Sequence, residues 1–272
     1  MKQLLISGYG DIARRAAPDL ERAFRVERLA RRFGRDLDRP ETLHLEGAHA
    51  LLHCAPPPAS GAADTRTANL LAALTKASIL PSRVVYVSTS GVYGDCGGEF
   101  IDESRPLAPR TPRAQRRADA ERQLTAWCAA HGVRLVVLRA PGIYAADRLP
   151  LERLRAGRPA LRAEDDVHTN HIHGDDLAAI ACRALEDEAP EGVYNASDDT
   201  RMKMGDWLDL VADTAGLPRP PRVARAAFAE ANDFMSESRC LDNTRLKQVL
   251  GFKFRYPTVH EGLAHAHAVG VD

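Results

Sequence analysis

The fold of this 272-residue chain is decided near its N-terminus, by a short turn between an apolar strand and a helix. The turn consists of Gly8-Tyr9-Gly10-Asp11-Ile12-Ala13. It follows the apolar run Leu4-Leu5-Ile6 and fits the pattern G-x-G-x-x-G/A. The first glycine allows a tight turn, the second lets backbone approach a pyrophosphate, and the small last residue lets helix and strand pack closely. Since a helix N-terminus attracts anions, the first five residues of the turn are predicted to bind a dinucleotide phosphate. Asp11 also fits a plain role as a first-turn acid that favours the helix dipole.

Short apolar segments and helical patterns alternate through the first half of the chain. Strands are predicted at residues 4–6, 25–30, 44–46 (weak), 50–55, 84–87 and 134–138, with a late strand at 192–195. Helices are predicted between them, at residues 11–22, 67–77 and 111–131. This alternation predicts an α/β fold with a Rossmann-type doubly wound parallel sheet, covered by helices on both faces.

Composition excludes several classes of protein. The 37 basic and 37 acidic side chains cancel, so no overall field favours nucleic acid or an anionic membrane surface. No apolar run approaches 18 residues, and no signal-peptide pattern begins the chain, so no membrane contact is expected. Five scattered cysteines without a C-x-x-C pair suit a reducing cytoplasm and argue against disulfides or zinc. The expected partner is a small molecule, and the chain is expected to be a cytoplasmic monomer or homodimer.

Residues 84–94 carry a second informative string. They are Val-Val-Tyr-Val-Ser-Thr-Ser-Gly-Val-Tyr-Gly. The string resembles the active-site strand of the extended short-chain dehydrogenases/reductases, the NAD(P)-dependent epimerase/dehydratase group. The resemblance implies that Thr89 bonds a substrate oxygen and that Ser88 lies beside the cofactor.

In that family a Tyr-x-x-x-Lys pair follows, in which Tyr moves a proton and Lys holds the nicotinamide ribose. Here Arg113 stands where the Tyr is expected and Arg117 where the Lys is expected. An arginine stays protonated and cannot cycle a proton. The turn also departs from the family's usual G-x-x-G-x-x-G, and both departures match the family's atypical branch.

The missing tyrosine leaves the acid–base group open. Tyr93 and Tyr144 are the nearest tyrosines by the family layout, and either could replace it if a low-dielectric pocket and nearby cations lower its pKa. Either could instead pack with its hydroxyl bonded. Arg117 could still cradle the ribose, and Arg113 could bind a substrate carboxylate or phosphate. Alternatively, Arg113 and Arg117 belong to a charged helix face.

The cofactor residues follow from the same layout. Arg31 and Arg32 at the end of the second strand suit the 2′-phosphate of NADP, whereas Glu27 could serve NAD if the strand register is shifted. The resemblance places a further set along the ribose, pyrophosphate and nicotinamide: Ala55, Pro56, Pro57, Pro141 and Gly142.

The chain after residue 145 becomes polar and irregular, and it resembles the family's small C-terminal substrate lobe. Residues 1–145 are predicted to form the dinucleotide-binding domain, to which the strand near 192–195 returns, and residues 146–272 mostly the lobe. The string 169–178 resembles the family's substrate-lobe string, in which Asn170 and His171 could face the substrate. His171 and His173 point the same way from a strand, but the nearby acids begin a helix, so no metal site is expected.

Two functions remain open from the sequence. The first is an NAD(P)-dependent oxidoreductase or epimerase/dehydratase-like enzyme, with NADP favoured over NAD and a displaced proton donor. The resemblance suggests a small polar metabolite or nucleotide-sugar as its substrate. The second is a catalytically inactive NADP-binding sensor or regulator, which loss of both Tyr and Lys favours.

Overall fold

The computed structural model describes residues 1–228 and 237–268, with side chains up to residue 265. Residues 229–236 and 269–272, which belong to the predicted lobe, lie outside this description. The strands, in chain order, are β1 Lys2–Ser7, β2 Phe24–Leu29, β3 Ala50–His53, β4 Arg83–Thr89, β5 Phe100–Ile101, β6 Arg134–Ala140, β7 Gly142–Tyr144, β8 Ala160–Leu161, β9 His168–Thr169, β10 His171–His173, β11 Gly192–Asn195, β12 Met202–Lys203, β13 Arg222–Val223 and β14 Cys240–Leu241. The helices are α1 Asp11–Ala23, α2 Thr65–Thr75, α3 Pro112–His131, α4 Leu151–Arg155, α5 Gly174–Ala184, α6 Met204–Thr214, α7 Thr244–Gln248 and α8 Val259–Ala268.

A six-stranded sheet in the order β11-β6-β4-β3-β1-β2 forms the centre of the molecule. Every pairing in it is parallel. The chain order reverses between β1 and β3, and ligands of such sheets bind in the crevice outside the carboxyl ends at this point. The predicted doubly wound parallel sheet is confirmed.

Alternate residues of the strands bury against helices on opposite faces of the sheet. On β1, Leu4 and Ile6 pack in the core beneath α1 and α5, whereas Leu5 packs in the core beneath α2 and α3. Since both faces are covered, the inner strands carry continuous apolar runs, such as Leu4-Leu5-Ile6 in β1, as expected for a parallel sheet.

The predicted weak strand at residues 44–46 is wrong. These residues form no strand, and the neighbouring Gly47 makes only an isolated parallel bridge to Ile79. Leu43 buries its side chain beside α2 from an irregular segment, while His44 and Glu46 stay exposed. The side chain of Leu43 is therefore buried although its segment does not pair with β2. As a result, β2 is an edge strand of the sheet.

The C-terminal part of the chain has a hydrophobic core of its own. Its buried side chains come from α4, α6 and α8 together with short two-stranded pairings, and include Trp207, Leu208, Val211, Val259 and Leu263. The boundary at residue 145 stays a prediction. None of the described helices has the length and apolar composition needed to cross a bilayer.

Candidate cofactor and substrate site

The glycine turn joins β1 to α1 at the crevice of the sheet. Gly8 has φ +84°, and a Cβ on it would lie 2.3 Å from the backbone nitrogen of Ala55, so no larger residue fits there. A Cβ on Gly10 would meet no protein atom within 4 Å. Gly10 is the N-cap of α1 and has no side chain to accept the first N–H groups of the helix, so these groups are left to bind a ligand. The fully buried Ala13 lets α1 pack closely on the sheet, where the pattern requires a small residue.

The predicted specificity residues lie beside this turn. Arg31 and Arg32 are exposed in a 3-10 turn directly after β2. The guanidinium of Arg32 lies 5.0 Å from the ring centroid of Tyr9 and donates to the Tyr9 carbonyl oxygen at 2.8 Å. Glu27 lies within β2 and accepts hydrogen bonds from Arg35 and from Gln3, so its carboxylate is already engaged away from the strand end.

The floor of the crevice is the loop after β3. Ala55 and Pro57 are buried and Pro56 is exposed. Arg66 in the first turn of α2 donates to the carbonyl oxygens of Pro56 and Pro57 at 3.1 and 3.2 Å, and pairs with Asp38 at 2.6 Å. The prolines offer no N–H groups, so the loop is held through its carbonyl oxygens.

Arg117 holds the loop after β3, the floor of the crevice, from inside the protein. Its side chain is buried, and Nη1 donates to the carbonyl oxygens of Val87 at 3.0 Å and Ala55 at 3.3 Å and to the Tyr86 hydroxyl at 3.0 Å. Burial raises the pKa of Tyr86 to about 12, although Arg117 acts against this rise. Arg117 therefore ties the ends of β3 and β4 together under the crevice.

Thr89 and the first turn of α3, which carries Arg113, lie close to each other. Thr89 ends β4 half-buried, and its Oγ1 accepts the Gly91 N–H at 3.2 Å, which leaves the hydroxyl proton available to donate. A Cβ on Gly91 would lie 3.6 Å from Thr89 and from Ala114, so the first turn of α3 lies against this strand end. Arg113 is exposed on that turn, next to Ala114. The structure thus brings Thr89 and the backbone of Arg113 to one edge.

Ser88 and Tyr93 belong to a buried polar network. Ser88 Oγ donates to Glu121 at 2.5 Å, and Glu121 forms a buried ion pair with Arg139 at 2.8 Å. Tyr93, 1% exposed, accepts from Arg139 at 2.9 Å and donates to Asn195 Oδ1 at 2.8 Å. Burial raises the pKa of Tyr93 to about 12 despite the nearby Arg139. These bonds favour the packing role for Tyr93 over that of a proton donor.

Three predicted substrate residues lie inside the protein at the base of the lobe. The buried Tyr144 donates to the Thr258 carbonyl oxygen at 3.2 Å, and burial raises its pKa above the ordinary value. Asn170 holds β14 through the carbonyl oxygen of Arg239 and the N–H of Leu241. His171 packs 4.3 Å from the Trp207 ring, and burial lowers its pKa to about 3. These three side chains are buried against other parts of the protein and do not line an open pocket.

Pro141 and Gly142 carry the chain from β6 into the lobe. Gly142 is exposed and its N–H donates to the Asn170 carbonyl oxygen at 3.2 Å. The described residues contain no group of three or more His, Cys, Asp or Glu side chains arranged to hold a metal ion.

Three arginines next to the crevice, Arg15, Arg66 and Arg148, were not predicted from the sequence. Arg148 donates to Asp11 at 2.8 Å across 137 residues of sequence. Nothing local in the polar segment around Arg148 indicates this contact, because it depends on how the lobe folds back onto α1.

Fold and crevice together define a Rossmann-fold protein with a dinucleotide-type glycine turn. A model of the NAD dependent epimerase/dehydratase family matches residues 63–197, which confirms the resemblance of the chain to the epimerase/dehydratase group of the extended short-chain dehydrogenases/reductases. The match begins after the glycine turn. Assignment to the atypical branch stays a prediction.

Solved structures agree in fold over nearly the whole chain. A functionally unknown conserved protein from Silicibacter pomeroyi DSS is 28% identical, with all of both chains covered and a TM-score of 0.79. A putative NAD-dependent epimerase/dehydratase from Methylobacillus flagellatus is 26% identical, with 98% of both chains covered and a TM-score of 0.77. UDP-glucose 4-epimerase from Thermus thermophilus, in complex with NAD, is 22% identical over 98% of both chains, with a TM-score of 0.76. No curated protein matches the chain.

Proposed function

We propose that the chain binds NADP(H) in the crevice and acts as an oxidoreductase or epimerase/dehydratase-like enzyme on a small polar metabolite or nucleotide-sugar. The observation that carries the proposal is the open space over Gly10, at the uncapped N-terminus of α1 and at the reversal point of the sheet. Backbone N–H groups at such a point bind phosphate. The residues present therefore fit a dinucleotide.

Arg31 and Arg32 support NADP over NAD. The Thermus thermophilus epimerase structure is a complex with NAD. In this chain two exposed guanidinium groups follow β2, and the carboxylate of Glu27 is occupied by Arg35 and Gln3. A 2′-phosphate accepts charge-assisted hydrogen bonds from such groups, whereas a 2′-hydroxyl calls for an acid.

Replacing both Arg31 and Arg32 with alanine is expected to weaken NADPH binding about 10- to 100-fold and to change NADH binding about twofold or less. Both side chains are exposed, so the fold should survive. Calorimetric titration measures both affinities. Since Arg32 also contacts Tyr9, Arg31→Ala alone isolates the charge effect. The double variant Arg22→Ala/Arg25→Ala removes two exposed charges at the opposite end of β2 as a control. Tighter NADH than NADPH binding by the parent chain would refute the choice of cofactor.

Bound NADP(H) would supply or accept a hydride at its nicotinamide. The chain's own residues would then act on the substrate. Thr89 would donate its hydroxyl proton as a hydrogen bond to a substrate oxygen, and Arg113 would bind an anionic group. Arg117 would hold the floor of the crevice through its bonds to the carbonyl oxygens of Ala55 and Val87. It would not move a proton, because a guanidinium stays protonated.

Thr89→Val and Arg113→Ala are expected to affect turnover differently. Thr89→Val should lower kcat about tenfold, because the lost hydrogen bond strengthens as charge develops on the substrate oxygen. Arg113→Ala should raise KM and leave kcat nearly unchanged, because it removes binding common to ground and transition states. Steady-state kinetics on a panel of carbonyl compounds and nucleotide-sugars provides the measurement. A proportional fall in kcat for both variants would contradict these separate roles.

The alternative function, an inactive NADP-binding sensor, is favoured by one observation. The side chain at the family's lysine position, Arg117, is buried and bonded to the carbonyl oxygens of Ala55 and Val87. A protein that binds NADPH and changes conformation, but turns over nothing in the panel even after Arg113→Tyr/Arg117→Lys, would support the sensor.

A further inference from the structure

Arg148 lies on the connection from the sheet into the lobe, yet its guanidinium is at the glycine turn. It ends a 3-10 turn formed by Ala146–Arg148, and Nη1 donates to Asp11 Oδ2 at 2.8 Å. Asp11 is the first residue of α1 and follows Gly10 directly. The guanidinium therefore stands beside the helix end over which the space is open.

The other cation of this cluster, Arg15, already uses each of its three guanidinium nitrogens on a carboxylate. Its Nε donates to Asp11 at 2.9 Å, Nη1 to Asp175 at 2.7 Å and Nη2 to Asp147 at 2.5 Å. Arg148 makes one hydrogen bond to the described residues, through Nη1 to Asp11. Its Nε and Nη2 remain to donate to another acceptor.

The carboxylates of this cluster outnumber its guanidinium groups, so a further anion there needs an N–H donor with a positive charge. Three carboxylates, of Asp11, Asp147 and Asp175, stand against the two guanidinium groups of Arg15 and Arg148. A pyrophosphate brings further negative charge to a point next to the Asp11 carboxylate, and like charges at this range repel. An arginine can hold a carboxylate and a phosphate at once through separate N–H groups.

We propose that Arg148 is a cofactor-binding residue, which donates to the pyrophosphate of the bound dinucleotide while it keeps its hydrogen bond to Asp11. The inference rests on the proposed function, since it assumes that a dinucleotide occupies the glycine turn. It adds a contact from the lobe side to a phosphate site otherwise built from backbone N–H groups of the sheet domain.

Arg148→Ala tests the proposal by NADPH and NADH titration of the full chain. We expect about 10- to 100-fold weaker binding, the range for loss of a hydrogen bond between charged groups. Arg148→Lys keeps the charge without the planar fork and should bind with intermediate affinity. Arg155→Ala, an exposed arginine in the last turn of α4, is the matched control and should bind like the parent chain.

The Asp11→Asn background separates a direct contact from neutralisation of Asp11. If Arg148 reaches the pyrophosphate, Arg148→Ala weakens binding in this background as well. If the loss disappears there, or if Arg148→Ala alone changes affinity less than twofold, the proposal is overturned. A parent chain that binds neither dinucleotide would remove the proposed function itself, together with this contact, whereas tight parental binding with a silent Arg148→Ala removes only the contact.

Discussion

Replacing Gly10 with valine is expected to weaken NADP(H) binding by about 100- to 10,000-fold while the chain stays folded. A Cβ at this position meets no protein atom within 4 Å, and the backbone φ of −87° suits an ordinary residue. The branched side chain would therefore fill the space meant for the pyrophosphate. Two charge-assisted hydrogen bonds to the phosphates, at roughly 1.5–3 kcal/mol each, account for a loss of this size. Titration calorimetry measures the affinity, and circular dichroism checks the fold.

Two further variants serve as a smaller change at the same position and as a control. Gly10→Ala adds a single methyl group and should fall between parent and valine variant. Ala23→Val places the same branched side chain at the exposed far end of α1 and should bind like the parent. Gly8→Val is unsuitable as a probe, because its Cβ would lie 2.3 Å from a backbone atom of Ala55 and would disturb the fold. Parental affinity in a folded Gly10→Val protein would rule out the glycine turn as the phosphate site.

The features predicted correctly from the sequence are those that local chemistry decides. The run Leu4-Leu5-Ile6 is apolar at every position because its side chains bury on both faces of the sheet, so strand and parallel sheet follow from it. The backbone at residue 8 has a positive φ and closely approaches Ala55, so only glycine fits there. The G-x-G pattern predicts both properties.

The features that sequence could not supply depend on contacts between distant segments. Tyr93 is a plausible acid by its position alone, but its hydroxyl bonds Asn195, 102 residues away, and Arg139. Leu43 directly precedes the weak strand predicted at residues 44–46, yet its side chain is buried without any pairing to β2. The pairing of Asp11 with Arg148 joins segments 137 residues apart, so only the folded chain shows it.

Arg139→Met is expected to lower the free energy of unfolding by about 3–5 kcal/mol. The Arg139–Glu121 pair is 2.8 Å long with both side chains 7% exposed, and it lies directly beneath Ser88 and Tyr93. Removing the cation leaves the Glu121 carboxylate buried without a compensating charge, and such a loss is among the costliest single changes in a protein interior. Urea unfolding, followed by circular dichroism, measures the change.

A double variant shows whether the loss of stability in Arg139→Met arises from the unpaired Glu121 carboxylate. Arg139→Met/Glu121→Leu removes both charges and should recover most of the loss, because a buried ion pair replaced by apolar side chains is often neutral in stability. Arg122→Met breaks the Arg122–Asp119 pair on the same helix as Glu121, where the arginine is 75% exposed, and should cost about 1 kcal/mol or less. If Arg139→Met costs no more than Arg122→Met, the buried network does not stabilise the strand ends that carry Ser88 and Thr89. Those residues would then owe their positions to the backbone pairing of β4 with β3 and β6 alone.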